Sequence, residues 1–87
     1  MSFLQILWDE DDNPEGNVQH IAEHGLTTDD VEFVIENAES ESRSQSSDRP
    51  CVFGYTPSGE YIIVIFDELD EDMIYPVSAY EVPEPSS

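Results

Sequence analysis

The chain has 87 residues, 38% of them hydrophobic, and sets 21 Asp and Glu against two Arg and no Lys for a formal net charge of −19. This length allows one domain and one core, which buries about 60–65% of the surface that the unfolded chain exposes. The charge argues against nucleic-acid binding, in which Lys and Arg replace the counterions on phosphates, and against an anionic membrane surface.

Three readings of the acidity stand side by side: a solvated surface that keeps the chain soluble in a salty cytoplasm, a basic protein partner, or attraction of divalent cations. The lone Cys51 excludes an internal disulfide and reads as a small buried hydrophobe. No apolar stretch nears the roughly 20 residues needed to cross a bilayer. The N-terminus shows no basic region followed by an apolar run and a cleavage site. A cytoplasmic protein is expected.

Phe3 to Trp8 reads as a first strand, ended by the four acids Asp9 to Asp12. Asn13 is expected to cap a helix over about Pro14 to His24, with Pro14 at the first helical position, an apolar stripe of Val18, Ile21 and Ala22, and Gly25 closing it. Thr27 and Asp30 form a capping-box pattern that opens a second helix to about Ala38, with Val31, Val34, Ile35 and Ala38 on one face. Glu39 to Arg49 has five serines and no apolar residue, so it is expected to be a mobile loop.

Cys51 to Thr56 is the next strand, and Pro57-Ser58-Gly59 turns it into the central one, Glu60 to Phe66. After Glu60 that stretch is wholly apolar, which predicts burial on both faces. Asp67 to Asp72 reads as an acidic connection. Met73 to Tyr80 is the last strand, in which Pro76 cannot donate a ladder hydrogen bond and implies an edge or a bulge. Residues 81–87 read as a flexible tail.

The expected fold is α+β, in the order β-α-α-β-β-β: two short helices on one face of a mainly antiparallel four-stranded sheet, forming a single domain over residues 1–80. Ile62, Val64 and Phe66 line one face of the central strand, and Ile63 and Ile65 the other. Two short helices cover only one of these, so the uncovered stripe predicts a homo-oligomer interface.

His20-Ile21-Ala22-Glu23-His24 matches H-x-x-E-H, in which two His one helical turn apart hold zinc beside a Glu base. A third ligand and a substrate cleft are hard to build in 87 residues, so His20, Glu23 and His24 are weak metal candidates; His24 also suits the last helical turn as a partner for free carbonyls. Asp9, Asp11 and Asn13 fit the start of a calcium loop, but Pro14 stands where Gly is required and His20 where Glu is required. No cofactor motif is found. Tyr75 and Tyr80 are suited to an interface, since tyrosines bury large area at low entropic cost.

Several short motifs together resemble the BrnT-type toxins, small ribonucleases of bacterial toxin-antitoxin pairs with a RelE-like fold. These are Trp8-Asp9 ending a strand, His24-Gly25-Leu26 ending a helix, Val31 and Val34 in an acidic helix, Phe53-Gly54-Tyr55-Thr56 with Gly59 in a hairpin, and Val77-Ser78-Ala79 in the last strand. The resemblance covers the chain to about Tyr80 and implies that fold. Basic residues stand in those toxins before the His-Gly, along the last strand and after the Ser-Ala, where this chain has Glu23, Met73, Tyr75 and Tyr80. Cleavage by transesterification requires cations or donors around the phosphate. The expectation is therefore a noncatalytic, toxin-like module that binds a protein partner, a basic one fitting best. The alternatives are a residual ribonuclease using His24, Tyr75 and Tyr80, and an acidic DNA mimic.

Overall fold

The computed structural model describes residues 5–38, 41–43 and 48–85. Strand β1 (Gln5–Ile6) is followed by helices α1 (Asn17–Ala22) and α2 (Thr28–Asn37), then strands β2 (Ser42–Arg43), β3 (Pro50–Tyr55), β4 (Tyr61–Asp70) and β5 (Met73–Glu81). The class is α+β, but the sheet has five strands rather than four, in the order β1-β5-β4-β3-β2. It is mixed: β1 runs parallel to β5, with Leu7 N–H donating to the Ile74 carbonyl, and the other pairings are antiparallel. A parallel neighbour needs a long crossover, and everything between residues 6 and 73 supplies it.

Two further expectations for strands are corrected. Within the supposed loop of residues 39–49, Ser42 and Arg43 pair with Cys51 and Pro50, while residues 39–40 and 44–47 lie outside the described residues. The central strand runs past Phe66, because Asp67, Glu68 and Asp70 find ladder partners in Tyr75, Ile74 and Met73, leaving only Glu71-Asp72 as the turn. Charge does not prevent pairing where a side chain points into water.

Helix α1 begins later than expected. The Asn13 side chain accepts from Glu15 N–H in a local turn and does not cap a helix. Gly16 takes the N-cap position, and the carboxylate of Asp9 accepts the free N–H of Asn17 at 3.0 Å. The close of the helix follows expectation: Gly25 has φ +78°, Leu26 N–H reaches back to the Ile21 carbonyl and Gly25 N–H to that of Ala22. Of the expected stripe only Ile21 is fully buried, and Ala22 is exposed. The helix lies along the edge of β5 beyond the end of β1, so it packs a single ridge.

Helix α2 carries the expected capping box, with Thr27 N–H donating to Asp30 and Asp30 N–H to Thr27 Oγ1. It buries Val31, Val34 and Ile35 against Val52, Ile62, Val64 and Phe66. Trp8 Nε1 donates to Glu32 Oε2 at 2.8 Å and pins the chain after β1 to this helix.

The other face of the sheet is not the open stripe that was expected. Ile63 and Ile65 are each 7% exposed; they form a small cluster with buried Cys51, and Tyr80 and Val82 pack against it. Val82 N–H donates to the Tyr61 carbonyl, which carries the chain after β5 along β4. No helix among the described residues is long and apolar enough to cross a membrane.

Candidate functional site

The face of the sheet turned away from α2 collects the candidate residues, and one irregularity in β5 is responsible. Ser78 pairs with Ile65 and Pro76 with Phe66, so Val77 is an extra residue in the ladder. Side chains alternate with a period of two, which would set Tyr75 and Ser78 on opposite faces. The bulge changes the phase, and Tyr75, Ser78 and Tyr80 emerge on the same face beside Asp67, Ile65 and Ile63. Pro76 was read as marking an edge or a bulge. It has both: the bulge follows it, and its carbonyl faces the edge, where Asn17 Nδ2 donates to it at 3.0 Å.

At one corner of this face α1 and the turn that follows it present two imidazoles. His20 and His24 are a helical turn apart, with ring centroids 5.6 Å apart in an edge-on arrangement. His20 Nε2 lies 3.2 Å from Ser78 Oγ, and the His24 ring is 5.7 Å from that of Tyr80. Of the sequence-level catalytic candidates, His24 and Tyr80 thus come together. The geometry offers proton donors and acceptors side by side, which is the raw material of acid-base chemistry.

Tyr75 belongs to a different set. Its hydroxyl donates to Asp9 Oδ2, and this bond raises the phenol above its ordinary pKa while holding Asp9 below the usual carboxylate value. Asp9 is fixed in turn by Asn17, which is 3% exposed. The Asn17 carbonyl oxygen accepts from Asp9 N–H at 2.8 Å, and its amide donates to the carbonyls of Leu7 and Pro76. Gly16 allows the approach, since a Cβ there would sit 2.6 Å from Asp9 Cβ. Asn17 thereby joins β1, α1 and β5 with every polar atom of its amide satisfied.

The two cations are engaged within the chain. Arg49 Nε donates to Asp67 Oδ1 at 2.8 Å on the same face as Tyr75, and Arg43 donates to the Asp48 carbonyl at 2.9 Å. Phosphodiester cleavage needs positive charge or free donors at the developing oxyanion. Here the phenol of Tyr75 already serves a carboxylate, and each arginine serves an oxygen of its own chain.

As for metal, His20 and His24 are close, but among the described residues no group of three His, Cys, Asp or Glu side chains converges to hold an ion. Cys51 is buried in the sheet, and desolvation raises its thiol pKa, as suits a packing residue.

Sequence reasoning did not single out Asp9, Asn17 or Ser78 as members of this site. Asn17 stands amid an apparently continuous helical pattern and signals nothing by itself. The Pro76 that foretold the bulge was the one clue that β5 changes phase.

No family model matches the chain, and neither a curated protein nor a solved structure matches it.

Proposed function

We propose that this chain is a noncatalytic interaction module on a BrnT-like, toxin-derived scaffold, working in the cytoplasm and binding a basic protein partner through its sheet face or its acidic surface. The observation that carries this reading is the engagement of Arg49 by Asp67 beside a Tyr75 already bound to Asp9. What remains to be offered outward is carboxylate and aromatic surface. Such a surface attracts cations over a distance and anchors them through ring area.

Association with a basic protein should be steered by charge, so its on-rate should fall steeply as salt rises. A pulldown at low salt from the native host, followed by rate measurements across an ionic-strength series, tests this. Recovery of no protein at low salt would defeat the proposal.

A second reading is favoured by the proximity of His24 and Tyr80: a residual ribonuclease in which His24 moves the proton and Tyr80 and Tyr75 donate hydrogen bonds. Total RNA incubated with wild type and with His24→Ala decides it. Equal cleavage by both removes the role of His24.

A further inference from the structure

Among the described residues β3 has no ladder partner on its outer side beyond Cys51, since β2 pairs only with Pro50 and Cys51. Thr56 N–H turns inward to the Glu60 carbonyl. The alternation of the strand therefore points the N–H and C=O groups of Phe53 and Tyr55 away from β4. A groove of about 580 Å³ follows this edge, bounded by Phe33, Asn37, Phe53, Tyr55, Tyr61 and Pro85. Its walls are aromatic: Phe53 stacks on Tyr61 with centroids 6.1 Å apart, and Tyr55 lies 4.8 Å from Tyr61. Phe53 and Tyr55 are 39% and 46% exposed.

A carboxylate attends the groove: Glu84 accepts the hydroxyl of Tyr55, which lines it, at 2.8 Å. Unpaired strand edge, ring faces and negative charge are three separate features at one place. Main-chain groups of an extended peptide complete such an edge, and guanidinium groups stack on such rings. A second copy of the chain fits poorly, because it would bring another formal charge of −19 against the same edge.

We infer that an extended, arginine-containing segment of the basic partner adds as a strand beside Phe53–Tyr55, with alternate side chains entering the aromatic groove. This rests on the proposal above that the partner is a basic protein, and it assigns the binding mode.

The test is a titration of the isotope-labelled full chain at low salt, followed by amide shifts. The probes are a short peptide alternating Arg and Val, the same peptide N-methylated at alternate backbone nitrogens, and polyarginine. The expected result is shifts centred on Phe53 and Tyr55, with N-methylation and each of Phe53→Ala and Tyr55→Ala weakening the Arg-Val peptide by about tenfold. Both side chains are exposed, so the variants fold, and their spectra confirm that. Equal binding of the N-methylated peptide, or shifts confined to the Asp9–Tyr75 end, overturns strand addition while leaving the basic-partner proposal standing. Failure of polyarginine as well as the peptide overturns both. A free chain that dimerises with the Phe53 and Tyr55 amides protected from exchange assigns the edge to a second copy and overturns the inference.

Discussion

Asp9 and Tyr75, 66 residues apart in the chain, share a hydrogen bond that closes the first and last strands onto one another. Each shifts the other: the phenol is raised from its ordinary 10.0 and the carboxylate lowered from its ordinary 3.8. A raised acid contributes stability in full below its unfolded pKa and loses it as pH climbs through the folded value. A lowered one contributes above its unfolded pKa and loses it as pH falls through the folded value. The stability gap between wild type and Tyr75→Phe should therefore be flat between about pH 4 and 10 and narrow at both ends. Urea unfolding across the pH range measures it; a gap that keeps its size above pH 10 would show that the bond does not couple to ionisation.

Asn17 is the costlier neighbour to lose. Asn17→Ala leaves the Asp9 N–H and the Leu7 and Pro76 carbonyls without their partner in a buried place. A loss of about 2–4 kcal/mol is expected. Asn13→Ala, in an exposed turn outside the helix, should cost less than about 0.5 kcal/mol. If the two cost the same, the helix starts at Asn13 after all.

Deleting Val77 tests the bulge. Because Val77 is the extra residue, removing it leaves Pro76 and Ser78 consecutive opposite Phe66 and Ile65, so Tyr75 and Ser78 stay on one face and β5 stays in phase with β4. The variant should fold and lose no more than about 1–2 kcal/mol. A variant that failed to fold, or that folded with His20 and Ser78 apart, would contradict the register.

Arg49→Ala separates the two functional readings. The pair with Asp67 is exposed, so the fold should change by about 0–1 kcal/mol. With Asp67 unpaired the face is more acidic, and polyarginine should bind more tightly. A ribonuclease would instead lose RNA cleavage with its only cation on that face among the described residues. Parallel binding and RNA assays show which.

Salt should stabilise the fold. With a net charge of −19 and two arginines, self-repulsion dominates the surface electrostatics, and ions screen it. The thermal midpoint should rise between low salt and 1 M NaCl, at roughly the ionic strength where the Debye length falls to about 3 Å. A falling midpoint would mean that ion pairs outweigh the repulsion.

The local signals were sound wherever neighbours in sequence decide the outcome. The capping box of Thr27 and Asp30 and the Gly25 close of α1 depend on nearby residues, and the apolar side chains from Ile62 to Phe66 and the lone Cys51 marked themselves for burial by their own chemistry, whereas the expected cap at Asn13 gave way to the distant Asp9. Distant contacts decided the rest. That Gln5–Ile6 lies parallel to β5, that Asp67–Asp70 continues a strand and that Ser42–Arg43 adds a fifth all depend on which segment comes alongside, and a ladder hydrogen bond leaves no periodic trace in its own segment. The site divides in the same way. The spacing of His20 and His24 put both on one side of a helix, but only the edge position of α1 and the extra residue at Val77 brought them to Ser78 and Tyr80. Side-chain chemistry is written along the chain, whereas the face on which it emerges is settled by packing between segments far apart in it.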